Sequence, residues 1–487
     1  MSKTIYDQYE TVVGLEIHAQ LSTLSKAYAA DSAGFGDDPN TNISAITLGH
    51  PGTLPKVNEQ VIYFAVKMGL ATNCEIRLEN EYARKNYFYA DLPKGYQITQ
   101  DTTPICFKGY LDIKLKDGSV KRIGITRIHM EEDAGKSIHD QDLYDSLIDL
   151  NRAGVPLIEI VSEPDIRSAE EAGAYLTEIR KLLRYLEICD GNMEEGSMRC
   201  DANISVRKKG EIKFGNRCEV KNLNSIRNVQ RAIEFEVKRQ IDLIEAGGHI
   251  DQNTLNFDAV SGTTSVLRSK EMANDYRYFP EPDLPPVLLT NSYITDVQAN
   301  MPALPDELFH KFTSEFKLSE YDAHIILEQK EMALYYLDLT THTKNYKAAA
   351  NWLMGAIKSH LNEQAIEIAQ FPLVPSQIAE LISLIDEGKI NITLANQQLF
   401  PAMLIHNTKK ALELATELNL IISNSNEEVL AFIHQVIQAY PEKVAEYKSG
   451  KKGLLGLFMG EVMKLAKGKL DPKEANKLLM QILDNSH

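Results

Sequence analysis

The 487-residue sequence has little of what marks secreted, membrane-spanning or zinc-ribbon proteins. Its five cysteines are odd in number, widely spaced and without a Cys-x-x-Cys pair, which argues against a disulfide framework and against a zinc ribbon. No segment has the apolar length of a membrane span, and the first ten residues are too polar for a signal peptide. We therefore expect a cytoplasmic protein that has no membrane partner.

Positive charge is also scarce, since the formal net charge is -16 at pH 7. This balance argues against binding of nucleic acid by the whole surface. Residues 448–477 are an exception, because eight lysines stand there against three carboxylates. Such an asymmetry is typical of a polyanion-binding end and, equally, of a solvated lysine-rich helix face. These lysines are Lys448, Lys451, Lys452, Lys464, Lys467, Lys469, Lys473 and Lys477.

The length and the periodicity of the chain predict an α+β protein of three domains. Up to about residue 292, apolar residues alternate with charged ones, as in residues 198–207, which is typical of a mainly antiparallel sheet whose polar face lines a cleft. Beyond that point the periodicity is helical. We predict a cradle domain at 1–292 with flanking helices, an all-α domain at 293–407 and a small all-α tail domain at 408–487.

Residues 127–137 hold three consecutive carboxylates, Glu131, Glu132 and Asp133, next to strand-like sequence. Carboxylates at this density need counter-charge, which a divalent cation with its phosphate ligand or a set of basic side chains would supply. The alternative is a solvated acidic loop. The adjacent Gly-Lys-Ser of residues 135–137 is no phosphate-binding P-loop, because Met130 stands where that motif needs glycine.

Two further strands carry candidate ligands. Glu16 and His18 are two residues apart on an alternating strand, so both side chains lie on one face and could bind one cation, although a solvent-facing edge strand would show the same pattern. Glu159 interrupts the apolar run of residues 155–162. A carboxylate in such a run is costly unless it is paired or bound to a metal, which makes Glu159 the best single ligand candidate.

Residues 84–97 interleave basic and aromatic side chains in a loop that contains Pro93 and Gly95. Arg84, Lys85 and Lys94 could hold phosphates while the aromatic rings stack on a base. A packed aromatic corner with exposed lysines would look the same.

Seven motifs in order resemble the GatB family, the B subunits of bacterial tRNA-dependent amidotransferases, along essentially the whole chain. An archaeal relative with a large synthetase-like insertion fits less well, because the chain has no room for that insertion. The motifs are Gly-Leu-Glu-Ile-His (14–18), Arg-Lys-Asn-Tyr-Phe-Tyr (84–89), Asp-Leu-Pro-Lys-Gly-Tyr-Gln (91–97), His-Met-Glu-Glu-Asp-Ala-Gly-Lys (129–136), Pro-Leu-Ile-Glu-Ile-Val-Ser-Glu-Pro-Asp (156–165), Met-Arg-Cys-Asp-Ala-Asn-Ile-Ser (198–205) and Asp-Tyr-Arg-Tyr-Phe-Pro-Glu-Pro-Asp (275–283).

The resemblance implies an ATP- and Mg²⁺-dependent carbon–nitrogen ligase that uses glutamine as amide donor. It would phosphorylate the side-chain carboxylate of Glu on mischarged tRNA(Gln), of Asp on mischarged tRNA(Asn), or of both. Ammonia from the glutaminase (A) subunit would then displace the phosphate, and the small C subunit would hold the heterotrimer together. The expected fold is a cradle around an antiparallel sheet, a helical domain and a helical tail that contacts tRNA.

The family motif assigns the metal to Glu16, His18, Glu131 and Glu159, and we predict Glu132 as an additional metal ligand and Asp201 as a further ligand or as a hydrogen-bond partner of the ligands. Arg84, Lys85 and Lys94 are predicted to bind the nucleotide. Glu16, Glu131 and Arg199 are predicted to act in catalysis, with Arg199 on the acyl phosphate or the tRNA end. No nucleophilic side chain is required, because the substrate carboxylate attacks ATP. The competing hypotheses are a metal-dependent hydrolase and a non-catalytic RNA-binding scaffold.

Overall fold

The computed structural model describes residues 5–139, 141–142, 144–269, 275–422, 426–466, 470 and 472–485. The chain divides into two compact units, Met1–Pro305 and Asp306–His487. The first unit is rich in strands and the second is helical, which confirms the predicted α+β class. The three-domain division at 292/293 and 407/408 stays a prediction.

The first unit is built on a nine-stranded sheet with the strand order β14-β13-β12-β11-β1-β10-β7-β6-β2. Neighbouring strands of this described sheet are antiparallel except β12 and β13, so the predicted mainly antiparallel sheet is confirmed. The strands are β1 (Tyr9–Gln20), β2 (Glu75–Ile76), β3 (Glu79–Asn80), β4 (Ala83–Asn86), β5 (Tyr96–Thr99), β6 (Cys106–Lys114), β7 (Val120–Glu132), β8 (Lys136–Ile138), β9 (Leu147–Asp149), β10 (Pro156–Ser162), β11 (Met198–Lys208), β12 (Cys218–Leu223), β13 (Asn253–Asp258), β14 (Thr263–Ser269), β15 (Phe279–Pro280) and β16 (Val287–Leu288).

The two faces of the sheet differ because side chains alternate along each strand. Leu15 and Ile17 of β1 are fully buried on the core side, whereas Glu16 and His18, which alternate with them, lie on the polar side. Each fully buried Leu or Ile contributes roughly 1.5–3 kcal/mol. The helices of this unit are α1 (Glu59–Ala71), α2 (Ala169–Tyr185), α3 (Ile226–Glu245) and α4 (Asn291–Ala299).

Two of these helices begin directly after a serine that caps them. The Ser168 side chain accepts a hydrogen bond from the Glu171 backbone N–H and caps α2, and Ser225 caps α3 in the same way through the Asn228 N–H. A side-chain oxygen at this position satisfies one of the backbone donors that the first helical turn leaves unpaired. The caps fix the start of the two helices that contact each other and the sheet core.

A small three-stranded sheet, β15-β4-β5, lies beside the main sheet. The Arg84 guanidinium on β4 makes two hydrogen bonds to Glu281, at 2.7 and 2.8 Å, and one to Asp283 at 3.0 Å. Asn86 on the same strand donates its backbone N–H to the carbonyl of Tyr276 at 3.0 Å. Strand β4 therefore holds residues 275–283 in place along one side.

The second unit is all helical in its described part. π-helical turns at Lys311–Glu315, Leu353–Ile357 and Ala395–Leu399 interrupt its helices, and residues 429–483 form a hydrophobic core of their own. No helix in the described ranges of either unit is long and apolar enough to cross a membrane. The helices are α5 (Pro305–His310), α6 (Glu320–Leu327), α7 (Lys330–His342), α8 (Tyr346–Trp352), α9 (Lys358–Gln364), α10 (Pro375–Asp386), α11 (Ile392–Leu394), α12 (Phe400–Ile405), α13 (Ala411–Glu417), α14 (Asn426–Ala439), α15 (Pro441–Lys448), α16 (Leu455–Leu465) and α17 (Pro472–Asn485).

The described lysines of residues 448–477 belong to the segment that forms this last core. Lys451 bonds to Glu446 at 3.0 Å and Lys452 to Asp484 at 2.7 Å, so acidic residues outside 448–477 neutralise part of the local excess. Lys467 and Lys469 fall outside the described residues. Binding of a polyanion by these lysines stays a prediction.

Candidate functional site

Four central strands bring one row of polar residues together on the face opposite the core. In the register of the sheet, Arg199 on β11 is paired with His18 on β1, His18 with Glu159 on β10, and Glu159 with His129 on β7. Side chains directly opposite on antiparallel strands have Cβ atoms roughly 4.5–5.5 Å apart. These four side chains therefore lie close together although the residues are far apart in the sequence.

His18 and Glu159 of this row form a tight group with Glu131, which follows His129 by two positions on the same face of β7. One ligand atom from each lies within 4.8 Å of the other two, which is close enough for all three to bind a single ion. His18 Nε2 lies 3.2 Å from Glu159 Oε2, and His129 Nε2 lies 3.6 Å from the same oxygen. Glu131 is 2% exposed and Glu159 is 7% exposed. Glu131 therefore points inward, beside His18 and Glu159, and its role as a ligand stays a prediction.

Cationic side chains compensate these buried carboxylates. Lys85 Nζ lies 3.1 Å from Glu131 Oε1. Burial would lower the pKa of the Lys85 ammonium, but Glu131 and Glu159 outweigh it and raise that pKa. Burial would also raise the pKa of Glu159, but His129 and His18 outweigh it and lower that pKa. These contacts favour the ionised form of Glu159, which is the form that can bind a cation.

Glu16 and Asp201 form a second acidic group on the next row of the sheet, where β1 and β11 pair them. The Asn203 side-chain amide donates to Glu16 Oε1 at 2.8 Å, and Lys221 Nζ lies 2.6 Å from Asp201 Oδ2. Burial, followed by repulsion from Glu159, raises the pKa of Glu16. These two predicted ligands are neighbours of the tight group and do not belong to it.

Two cavities meet at this cluster. A cavity of about 340 Å³ and a larger one of about 610 Å³ share four lining residues, namely His18, Lys85, Asp201 and Lys221. The smaller one also reaches Tyr276 and Tyr278, and the larger one reaches Arg199 and Glu131. Both volumes are in the range of sites that hold small molecules.

Arg199 borders the larger cavity. Its Nη2 donates to Asp133 Oδ2 at 2.6 Å, and Asp133 also accepts from the Gln20 side chain at 2.7 Å. The Nε of Arg199 is buried and has no hydrogen-bond partner among the described residues. A buried donor of this kind is costly unless another group satisfies it, so the position favours an anionic ligand.

Three predicted site residues lie elsewhere. Glu132 follows Glu131 on the strand, so its side chain lies on the opposite face, where it pairs with Lys94 and accepts the Ile98 backbone N–H. Glu132 and Lys94 line a separate cavity of about 180 Å³. Arg84 is held by Glu281 and Asp283, and its guanidinium carbon lies 4.1 Å from the centre of the Tyr96 ring.

Sequence reasoning missed several residues of the cluster. His129 lies two positions before Glu131 and so on the same face, a signal that was present in the sequence. Glu219 and Lys221 alternate with buried Cys218 and Val220. This alternation indicated that they lie on a polar face, but not which residues of other strands lie beside them. Tyr276 and Tyr278 belong to the motif at 275–283, but the motif gave them no site role, because contacts with a strand nearly 200 residues earlier place them at the cavity.

The fold and the cluster together define an α+β cradle protein with a candidate cation and anion site in its cleft. Residues 11–295 match the family described as GatB/GatE catalytic domain, and residues 334–483 match the GatB domain. The B subunit of the aspartyl/glutamyl-tRNA(Asn/Gln) amidotransferase of Pseudomonas syringae is 47% identical over 481 residues, which cover 98% of this chain and 100% of the relative.

Two further relatives carry the same name. The protein from Thermodesulfovibrio yellowstonii is 47% identical over 477 residues, 98% of this chain and 99% of its own length. The protein from Alkalilimnicola ehrlichii is 48% identical over 479 residues, 98% of this chain and 100% of its own length. The chain belongs to the GatB family.

Proposed function

We propose that this chain is the component of a cytoplasmic tRNA-dependent amidotransferase that activates and amidates the amino acid on a mischarged tRNA. Its relatives are named as the B subunits of aspartyl/glutamyl-tRNA(Asn/Gln) amidotransferases, and they match over nearly their whole length. The substrate is then Glu-tRNA(Gln), Asp-tRNA(Asn) or both, and the products are Gln-tRNA(Gln) and Asn-tRNA(Asn). Complex formation with the glutaminase (A) subunit and with the small C subunit belongs to this proposal.

The chemistry requires activation of a carboxylate. A carboxylate oxygen of the substrate attacks the γ-phosphorus of ATP and releases ADP, which gives an acyl phosphate. Ammonia then attacks the acyl carbon, phosphate leaves, and the amide forms. Transfer of a phosphoryl group depends mainly on positioning and on neutralisation of charge. The observation that carries the proposal is the convergence of His18, Glu131 and Glu159 within 4.8 Å beside the ammonium of Lys85.

The donor set fits a divalent cation. Two carboxylates supply the oxygen ligands that Mg²⁺ prefers, and the imidazole of His18 can complete the set. A bound cation would neutralise phosphate charge as a Lewis acid. Glu16 and Asp201 would accept hydrogen bonds from its bound water or hold a further ion.

Basic side chains of the two cavities would bind the anionic groups. Lys85 lines both cavities and lies next to the carboxylate cluster, so it is placed to contact the phosphates of ATP. Arg199 lines the larger cavity, so its guanidinium could donate to an oxygen of the acyl phosphate or of the tRNA end. Arg84 and Lys94 line neither of these two cavities, so phosphate binding by them has less support.

The test is the Glu159→Gln variant in the assembled complex, with mischarged tRNA, glutamine and ATP. Removal of the central charge should lower amide formation by at least roughly a hundredfold. Glu10→Gln is the matched control, since Glu10 is on the same face of β1 but bonds to Arg207 and Arg167 away from both cavities. Full activity of Glu159→Gln would support an RNA-binding scaffold. Metal-dependent hydrolysis without ATP would support a hydrolase.

A further inference from the structure

An aromatic row borders the smaller cavity opposite the carboxylates. The ring centres of Tyr87 and Tyr276 are 6.0 Å apart, and those of Tyr276 and Tyr278 are 5.9 Å apart, with interplanar angles of 73° and 63°. Tyr276 and Tyr278 line the 340 Å³ cavity, and Tyr87 lines the 610 Å³ cavity. The row therefore runs from one cavity to the other.

Lys85 joins this row to the carboxylate cluster. Its Nζ lies 5.3 Å from the centre of the Tyr276 ring and 3.1 Å from Glu131 Oε1. One lysine thus contacts an aromatic ring on one side and a candidate cation ligand on the other. This is the order of groups that a nucleotide needs, since its base is apolar and flat while its phosphates require a cation.

The row is held in place before any ligand binds. The Asn86 side-chain amide donates to the carbonyls of Tyr276 and Arg277, at 3.1 and 2.9 Å, in addition to the backbone bond to Tyr276. Arg277 has a φ of 44°, a left-handed conformation that a non-glycine residue keeps only when its surroundings impose it. Binding to a surface fixed in this way costs less conformational entropy than binding to a mobile loop.

A purely structural aromatic corner would bury its rings. Tyr278 instead remains 41% exposed, and both Tyr276 and Tyr278 border open space rather than core side chains. The row is therefore available to a ligand. The strained backbone at Arg277 and the three bonds from Asn86 keep it at the cavity.

We infer that Tyr276 and Tyr278, with Tyr87 next to them, bind an adenine ring, which stacks on the face of one tyrosine and meets the edge of its neighbour, because the two rings are tilted by 63°. The inference rests on the proposed function, in which two substrates bring an adenine to this cleft. One is the base of ATP, and the other is the terminal adenosine of tRNA, to which the reacting amino acid is attached. Stacking on tyrosine has the same chemistry in both cases.

The first test uses Tyr276→Leu and Tyr278→Leu in the assembled complex, with Tyr→Phe variants at both positions. Leucine removes the aromatic face and phenylalanine keeps it, so the KM of one substrate should rise roughly tenfold in the leucine variants and by less than about twofold in the phenylalanine variants, with little change in kcat. A higher KM for ATP identifies the nucleotide as the source, and a higher KM for mischarged tRNA identifies the terminal adenosine. Tyr110→Leu is the matched control, because Tyr110 of β6 stacks with Arg122 of β7 and lines neither cavity.

A second measurement needs no variant. Fluorescence of 2-aminopurine falls when the base stacks, so the unaltered complex should quench either 2-aminopurine riboside triphosphate or a tRNA ending in 2-aminopurine. The inference is overturned if neither probe is quenched, if the leucine variants leave both KM values unchanged, or if phenylalanine is as harmful as leucine. Failure of the proposed function is a different result, namely an unaltered complex that forms no amide with ATP.

Discussion

At the scale of single residues, Glu131 and Glu132 differ in their contacts although they are adjacent and both buried. The strand directs Glu131 to His18 and Glu159, and it directs Glu132 to Lys94 and the backbone of Ile98. Successive side chains of a strand point to opposite faces, so no rotamer brings both carboxylates to one ion. The pair therefore provides an internal control for the candidate cation site.

We predict that Glu131→Gln weakens binding of a divalent cation by roughly tenfold or more, because a neutral amide replaces a carboxylate ligand. Glu132→Gln should leave cation affinity nearly unchanged and should disturb the contact with Lys94 instead. Titration of the assembled complex with Mn²⁺, followed by calorimetry, measures both affinities. An equal loss in the two variants would place the site elsewhere.

At the scale of elements, β4 fixes residues 275–283 through buried charge. Arg84 and Glu281 make a two-bond pair in which the Glu281 side chain has no exposed surface. Arg84 also stacks on the Tyr96 ring. Removal of one partner from a buried pair leaves an uncompensated charge, which costs more than the pair itself contributes. Arg84 is thus part of the framework behind the site.

We predict that Arg84→Ala lowers the free energy of unfolding of the first unit by about 3 kcal/mol. Adding Glu281→Gln should recover part of this loss, since no buried charge then remains. Arg122→Ala is the control, because Arg122 makes the same two-bond contact with Asp112 and stacks on Tyr110, but at the surface. That variant should unfold nearly as the parent does. Urea unfolding followed by circular dichroism measures all three, and equal losses would contradict the prediction.

At the scale of the whole molecule, the sequence predicts which face of a strand a side chain occupies better than it predicts which side chains lie next to it. Alternation in β1 and β11 predicted which side chains lie on the polar face, since that period is a local property. Register is not local, so the pairing of His18 with Glu159 and of Glu159 with His129 could not be read from the sequence. Local composition suggested phosphate binding by Arg84, whereas its partner Glu281 lies 197 positions later.

In the second unit, the sequence likewise does not show whether the lysines of residues 448–477 bind a polyanion or form a solvated helix face. Helix α13 is fixed to preceding helices, because the Ala411 N–H donates to Glu380 and the Ile422 N–H donates to the carbonyl of Lys389. The separate hydrophobic core begins only at Val429. A truncated chain that lacks the lysines but keeps the preceding helices folded should therefore have residue 425 as its last residue, rather than a residue near 408.

We predict that a chain ending at residue 425 keeps a folded first unit but binds tRNA more weakly at low salt. Each lost lysine–phosphate contact should also make the dependence of log Kobs on log salt shallower by roughly one unit. Lys389→Ala is the control, because Lys389 is paired with Glu387 before the cut and its loss should change neither affinity nor slope. Filter binding over a range of salt, together with urea unfolding of the first unit, gives both measurements. If the shortened chain binds tRNA as tightly as the full chain at low salt, the lysines form a solvated helix face, as their partners Glu446 and Asp484 already suggest for two of them.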